Sequence, residues 1–221
     1  MRAVVAAAAL LAGGAATAAP PSLAARLAAD KRLVDAATVA RGLLVELRYS
    51  RADNFLKKDV YGDLERCYLV RPAALKLARA AELLARLRPD LRLLVYDCVR
   101  PLAVQRAMWR QVKGTPEQPY VADPARGSMH NLGCAVDLTL ADAKGKPLPM
   151  GTAFDHAGPL AQPRLERRFL LEGKLKPAHL AHRLLLRQVM VEAGFVPLDI
   201  EWWHFDGMSP KEARRSLRIV R

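Results

Sequence analysis

The chain has 221 residues, enough for one substantial hydrophobic core but too few for two comfortable domains. Hydrophobic residues make up 52% of it and charged residues 26%, as in ordinary globular proteins, yet the formal net charge is +13. The basic residues are spread without a dense tract or interleaved aromatic residues, which argues against nucleic-acid binding. It favours a solvated basic surface, drawn weakly to anionic polymers of the cell envelope.

The N-terminus has the pattern of a cleaved signal peptide. Arg2 gives a positive start, residues 3–19 carry no charge, and Ala16-Thr17-Ala18 fits the small-x-small cleavage rule. The apolar run is short and alanine-rich for a membrane span, and no cysteine near the cut could carry a lipid, so we expect no stable membrane anchor. We therefore predict an exported protein of the periplasm or cell envelope, with residues 1–19 as signal peptide and residues 20–221 as one domain.

Three cysteines, Cys67, Cys98 and Cys134, cannot all pair within one chain. An exported location permits a Cys67–Cys98 disulfide, but three buried thiols fit the spacing as well. No two cysteines lie two to four residues apart, so a zinc finger is not indicated.

The first half of the domain mixes helix and strand patterns. Residues 22–41 predict a linker or short helix, and residues 43–49 a first strand. A helix is predicted from Arg71-Pro72, since proline is pre-set for a first turn, until Pro89. Its apolar residues recur at helical spacing, which indicates core packing.

Residues 91–100 predict a strand, which Pro101 ends before a second helix. Strict alternation along this strand would place Asp97 and Arg100 on opposite faces. A loop then leads to the part of the chain richest in chemical groups.

That part, residues 128–137, contains His130 and Asp137 around a glycine. The two are an odd number of positions apart, so a straight strand would point them to opposite faces. A turn at Asn131-Leu132-Gly133 would fold His130 back beside Asp137, because glycine tolerates such a bend.

The second half predicts a long functional loop over residues 141–176, a helix over 178–193 and a last strand over 195–205. Glu201 and His204 again lie an odd number apart, so a bulge or a strand end is needed to bring both to one cavity. The chain has too few βαβ units for a doubly wound sheet. We predict an α+β fold with an antiparallel or mixed central sheet and helices packed mainly on one side.

His130, His204, Asp137 and Glu201 supply two neutral nitrogen ligands, one anionic oxygen ligand and a spare carboxylate. This set is typical of a hydrolytic zinc site with one coordination position open to water. Each residue alone also fits a structural hydrogen-bond network. Burying the charged groups unpaired would cost several kcal/mol apiece, which favours a metal site.

Other chemical groups are weaker candidates. His179 and His182 share a helix face without a carboxylate, which is typical of a solvated surface, and His156 in the long loop is expected to be exposed. Ser128 is not in a nucleophile elbow, and Cys134 is expected to pack in the core.

Residues 128–137 (SMHNLGCAVD) followed by Glu201-Trp202-Trp203-His204 resemble the zinc D-alanyl-D-alanine dipeptidases. Further matches are Asp-x-x-Arg-Pro at 97–101, Asn54-Phe55, the stretch 150–155 and Gly194-Phe195, in the family's order from about residue 43 to 206. The resemblance implies the α+β fold shared with other D-Ala-D-Ala peptidases and the hedgehog signalling domain. It also implies one Zn²⁺ per chain, held by His130, Asp137 and His204.

Further roles follow from the same resemblance. It makes Glu201 the general base, Arg100 the stabiliser of the transition state, Asp155 a contact for the substrate's free amino group and Ser128 a substrate contact. Cys134 stands where Ser or another small residue is expected, which would make the site more sensitive to oxidation.

The implied reaction is zinc-dependent hydrolysis of D-Ala-D-Ala, or of related small D-peptides, during cell-wall peptide turnover. Two alternatives stay open: a peptidoglycan D,D- or L,D-carboxypeptidase, and a non-catalytic zinc-stabilised binding module. Export favours wall turnover over glycopeptide resistance, since resistance requires removal of the dipeptide in the cytoplasm. Nothing in the sequence indicates an oligomeric state.

Overall fold

The computed structural model describes residues 19–220, so the predicted signal peptide lies, apart from Ala19, outside the described residues. The helices are α1 (Leu23–Ala29), α2 (Arg71–Leu87), α3 (Leu102–Val112), α4 (Glu166–Leu171), α5 (Pro177–Glu192) and α6 (Pro210–Ser216). The strands are β1 (Leu33–Asp35), β2 (Leu44–Val45), β3 (Tyr68–Val70), β4 (Leu91–Asp97), β5 (Ala135–Asp142), β6 (Val196–Leu198) and β7 (Glu201–Asp206). Within this described part, none of the helices combines the length and apolar character needed to cross a membrane.

Five strands form the central sheet, in the order β2-β4-β5-β7-β6. β2 runs parallel to β4 and the other neighbours are antiparallel, so the sheet is mixed. β1 and β3 form a separate antiparallel pair. This architecture confirms the predicted α+β class.

One face of the sheet is buried under α2 and α5. Alternation along β4 and β5 directs six side chains toward these helices, each 3% exposed or less: Leu91, Leu93, Val95, Val136, Leu138 and Leu140. Burying each large aliphatic side chain contributes about 1.5–3 kcal/mol. Packing on this face therefore fixes the strands whose other face carries Asp137.

A bulge changes the predicted alternation of β4. Val95 pairs with Leu138, but the next residue pair in register is Asp97 with Asp137, so Tyr96 is an extra residue. The bulge turns Asp97 to the face of Asp137, and the strand ends there rather than at Arg100. The predicted separation of Asp97 and Arg100 on opposite faces is therefore wrong, because alternation assumes an unbroken ladder.

Two other predicted strands are shorter than expected. The first is limited to β2 and is followed by a 3₁₀ turn at Arg48–Ser50. The last is a hairpin of β6 and β7, with Leu198 paired to Glu201 across the turn. The turn places Glu201 at the start of β7, which provides the strand end that its spacing from His204 required.

The predicted loop over residues 141–176 is largely ordered by local structure. It contains α4 and two 3₁₀ turns, Pro159–Ala161 and Pro163–Leu165. Arg183 of α5, only 1% exposed, anchors it. Its guanidinium donates to the Met150 carbonyl at 2.7 Å and to the Leu160 carbonyl at 3.1 Å, on either side of the segment that carries Asp155.

Replacing Arg183 with alanine should therefore destabilise the protein. Arg183→Ala leaves the Met150 and Leu160 carbonyls without this donor, and an orphaned buried acceptor costs about 1–3 kcal/mol. We expect the free energy of unfolding in urea to fall by about 2–4 kcal/mol. Arg168→Ala is the control, since this arginine on α4 is exposed, and its unfolding midpoint should stay near the parental value. An equal loss in both variants would contradict the anchoring role.

Candidate metal centre

The glycine turn predicted before β5 is present and brings the first histidine to the sheet. Residues His130–Leu132 form a 3₁₀ turn that ends at Gly133 in a left-handed conformation, with φ of 64°. A side chain at Gly133 would be strained, and its Cβ would lie 3.0 Å from Leu33 Cδ2. The turn therefore returns His130 to the side of Asp137, as its spacing required.

His130, Asp137 and His204 converge on one point. Asp137 pairs with His204 in the β5–β7 ladder, so both side chains share a face. His130 Nε2 lies 3.2 Å from His204 Nδ1 and 3.2 Å from Asp137 Oδ1, while His204 Nδ1 lies 2.9 Å from the same oxygen. Bonds of about 2.0–2.1 Å to a tetrahedral zinc ion would separate its ligand atoms by about 3.3 Å. The three distances are close to that requirement.

Hydrogen bonds behind the cluster select the histidine tautomers. His130 Nδ1 donates to the Cys98 carbonyl at 2.7 Å, and His204 Nε2 donates to Asp206 Oδ1 at 2.9 Å. With these bonds in place, each ring can offer its other nitrogen to a metal ion at the shared point, the arrangement found behind metal-bound histidines.

The electrostatics of the cluster also favour a cation. Burial alone would raise the pKa of Asp137, but His130 and His204 outweigh it and hold that pKa below its ordinary value. Although burial opposes the shift, Asp137 and Asp206 raise the pKa of His204 well above its ordinary value, so the cluster stabilises positive charge at the point where a metal ion would replace the proton. The donor set of these three buried residues fits a zinc ion with one free position.

Arg100 lies beside the cluster and is held by Asp97. Its Nε and Nη2 donate to Asp97 Oδ2 at 2.9 and 2.5 Å, and its Nη1 donates to Gln105 Oε1 at 3.0 Å. Nη2 is 3.7 Å from Asp137 Oδ2. Burial works against the cation, but Asp97 together with Tyr49, Tyr61 and Asp137 outweighs it and raises the pKa of Arg100 well above its ordinary value, so the guanidinium stays charged.

Glu201 approaches the cluster from the start of β7. Its Oε2 is 4.0 Å from His204 Nδ1. Burial raises the pKa of Glu201 to about 7, against the opposing attraction of His204. A carboxyl group with such a pKa can both accept and return a proton near neutral pH.

Asp155 faces the same space from the long loop. Both of its carboxylate oxygens accept from the Tyr49 hydroxyl at 2.9 Å, and its backbone has a positive φ of 60°, which is unusual for a non-glycine residue. Burial raises the pKa of Asp155 well above its ordinary value, although the Tyr49 hydrogen bond opposes the shift. A carboxyl group in this state gains most from a ligand that brings a positive charge.

A cavity of about 260 Å³ joins all the predicted site residues. Its lining includes the three candidate metal ligands together with Arg100, Ser128, Asp155 and Glu201. Ser128 lies at the start of the glycine turn, where its Oγ accepts from the His130 N–H at 3.3 Å. The chain thus brings together the residues that its sequence singled out, and their individual roles are taken up below as proposals.

The remaining histidines lie away from the cluster. His179 and His182 are on α5, where the His182 ring contacts the Pro149 carbonyl at 2.8 Å. His156 is exposed in the loop, as expected. Among residues 19–220, these three do not contribute to the cavity that contains His130.

The cysteines divide into one pair and one free thiol. Cys67 and Cys98 form a disulfide with a Cα–Cα distance of 5.3 Å, which decides between the two readings of their spacing. Cys134 is free and fully buried in the core, as expected. Burial raises the pKa of its thiol to about 11, which argues against the predicted sensitivity to oxidation.

Iodoacetamide should therefore label Cys134 only after unfolding. The neutral, buried thiol has almost no thiolate to react at pH near 7. Without reductant, mass spectrometry should find no alkylation of the native protein and a single alkylated cysteine after guanidinium treatment. Reductant added to the unfolded protein should raise the number to three. Rapid labelling of the native form would contradict the burial.

Three residues that hold the site residues by hydrogen bonds were not predicted from the sequence to do so. Asp97 orients Arg100, Tyr49 holds Asp155, and Asp206 holds His204. Asp206 could have been found, because residues two apart in a strand share a face. Tyr49 gave no signal, since it lies far from Asp155 in sequence and reaches it through tertiary packing alone.

Comparison with known proteins gives a consistent result. A family model described as "D-ala-D-ala dipeptidase" matches residues 29–219. The D-alanyl-D-alanine dipeptidase of Escherichia coli (strain K12) is 38% identical over 174 residues, covering 79% of this chain and 83% of that protein. The one from Synechocystis sp. is 30% identical over 62% of this chain and 68% of its own. The one from Enterococcus faecium is 28% identical over 76% and 87% respectively.

Proposed function

The chain belongs to the D-Ala-D-Ala dipeptidase family, and from that premise we propose that it is a zinc-dependent dipeptidase that hydrolyses D-alanyl-D-alanine to two molecules of D-alanine. The observation that carries the proposal is the shared cavity. It joins a three-residue zinc-binding set to a base, a fixed cation and an anionic anchor, namely Glu201, Arg100 and Asp155.

His130, Asp137 and His204 would hold the zinc ion. Bound there, zinc would supply the positive charge that acidifies a water molecule and polarises the scissile carbonyl. Residues of the chain would then transfer the proton and stabilise the negative charge that develops.

Glu201 is the proton carrier in this proposal. Its carboxylate takes a proton from the attacking water as the water oxygen bonds to the carbonyl carbon. The same proton passes to the leaving nitrogen when the carbon–nitrogen bond breaks. Arg100, permanently charged and fixed by Asp97, stabilises the negative charge that develops on the carbonyl oxygen.

Asp155 would favour a free dipeptide over a longer peptide. A substrate ammonium would favour the charged form of this carboxyl group and replace the lost solvation of both ions. A longer peptide carries an uncharged amide at the corresponding position and would leave Asp155 without that partner. Ser128, at the start of the glycine turn and in the lining of the same cavity, is proposed as a second substrate contact.

We place the reaction outside the cytoplasm, in turnover of cell-wall peptides. The uncharged segment over residues 3–19 supports export. The Cys67–Cys98 disulfide is a second support, because such bonds persist in oxidising compartments. The basic net charge suits a location among anionic wall polymers.

The function is tested by metal content together with substrate preference. The purified mature protein should hold one zinc per chain and should hydrolyse D-Ala-D-Ala faster than N-acetyl-D-Ala-D-Ala or a pentapeptide stem ending in D-Ala-D-Ala. Preference for the pentapeptide would replace the dipeptidase by a carboxypeptidase. Zinc-loaded protein without activity on any of the three would identify a binding module instead.

A further inference from the structure

The Cys67–Cys98 disulfide lies directly behind the candidate metal centre. Cys67 immediately precedes β3, and Cys98 immediately follows β4. Both are 2% exposed or less and belong to the main core. The bond therefore joins the small β1–β3 pair to the end of the strand that leads into the site.

Residues 97–100, here called the ligand platform, hold His130 from two directions. The Cys98 carbonyl accepts from His130 Nδ1 at 2.7 Å. The Arg100 N–H donates to the His130 carbonyl at 3.0 Å, and the Arg100 carbonyl accepts from Asn131 Nδ2 at 2.7 Å. The platform thus fixes the ring orientation and the backbone position of His130, one of the candidate metal ligands.

The same platform carries the fixed cation. Asp97 Oδ1 accepts from the Cys98 N–H at 2.9 Å and from the Tyr61 hydroxyl at 2.7 Å, which leaves Oδ2 to bind the Arg100 guanidinium. A shift of Cys98 would therefore move the partner of His130 and the partner of Arg100 together.

The β4–β5 ladder ends where the platform begins. The last register pair is Asp97 with Asp137, just after the bulge. Beyond it, the Val99 N–H donates to the Tyr68 carbonyl at 3.1 Å, and the disulfide provides the covalent connection to the same strand region. Since the ladder does not continue, the disulfide is placed to take over the positioning of Cys98.

We propose that the Cys67–Cys98 disulfide is a positioning element of the active site, which holds the Cys98 carbonyl against His130 and the Asp97–Arg100 pair in register with it. The proposal rests on the proposed zinc site. Loss of a hydrogen-bond partner behind a metal ligand typically lowers metal affinity by about 10–100-fold. The competing explanation is that the bond only stabilises the fold by restricting the unfolded chain.

Zinc affinity separates the two explanations. Cys67→Ala/Cys98→Ala should bind zinc about 10–100-fold more weakly in competition with a chromophoric chelator, measured well below its melting midpoint. The visible spectrum of the cobalt(II)-loaded protein should change as well. Leu77→Ala is the matched control. This α2 residue is fully buried in the same core, but its side chain has no polar atom and so makes no hydrogen bond to the platform. It should lower the melting midpoint while zinc affinity and the cobalt spectrum stay parental.

Unchanged zinc affinity and cobalt spectrum in the double variant would overturn the proposal. If that variant fails to fold, the test uses the parental protein after reduction by a phosphine. Mass spectrometry verifies that the disulfide is reduced. Zinc release to excess chelator should then be about tenfold faster or more than from the oxidised protein, and equal rates would overturn the proposal. The parental protein tests the proposed function separately. If it binds zinc and hydrolyses D-Ala-D-Ala while the variant matches it, only the positioning role fails; if it binds no zinc, both fail.

Discussion

Glu201→Gln should retain zinc and lose almost all turnover. The amide keeps the size of the side chain but can no longer accept and return the proton, and general acid–base groups contribute about 10²–10⁴-fold to rate. We expect kcat for D-Ala-D-Ala to fall by that factor with little change in KM. Zinc content should stay parental, because Glu201 is not among the three residues that would hold the ion.

The pH dependence provides a second test of the same group. In the proposed mechanism the charged form of Glu201 is the base, so kcat/KM should rise with pH until that carboxyl group is ionised. Its pKa is about 7 in the chain alone, and a bound cation favours the charged form, so the acid limb should lie below pH 7. Glu192→Gln, on the exposed part of α5, is the matched control and should keep the parental profile. Parental kcat in Glu201→Gln would contradict the mechanism.

Arg100→Lys should lower kcat by about 10²–10³-fold, the usual effect of removing one fixed donor from a developing oxyanion. Lysine keeps the positive charge, but it cannot reproduce the planar contact in which two guanidinium nitrogens bind Asp97 and a third binds Gln105. The charge would therefore sit in another place, and the loss should appear mainly in kcat.

Arg187→Lys is a suitable comparison for that variant. Arg187 also pairs with a buried carboxylate, since its Nη2 donates to both oxygens of Glu166, but it lies outside the cavity. Its kcat should stay near the parental value. Similar losses in both variants would indicate a general effect of disturbing a buried ion pair and would remove Arg100 from the mechanism.

The spacing of the site residues along the sequence correctly predicted where the backbone turns or a strand ends. The odd spacing between His130 and Asp137 required a turn, and Gly133 provides it. The odd spacing between Glu201 and His204 required a strand end, and the β6–β7 hairpin provides it. In both cases the two side chains of a pair were expected to reach one cavity, and a regular strand could not bring them there. The expected site therefore required a break in the strand.

The part that was not predicted depends on contacts between distant segments. The bulge at Tyr96 cannot be read from β4 alone, since it is defined by the register with β5. Tyr49 meets Asp155 across 106 positions of sequence. The Cys67–Cys98 pairing was open because spacing does not determine connectivity. Alternation and propensity describe neighbours in sequence, and these three features are decided by neighbours in space.

The edges of the central sheet also bear on which peptides the protein can bind. Proteins that capture extended peptides often do so by adding the peptide as a further strand along an open sheet edge. Here the sheet ends at β2, with two residues, and at β6, with three residues including Pro197, which has no N–H to donate. The cavity is lined by residues of the interior strands β5 and β7, and Leu198 of the edge strand β6 also reaches it. These two edges therefore offer a long peptide little main-chain pairing, which supports the proposal that a short substrate is recognised by its charged ends.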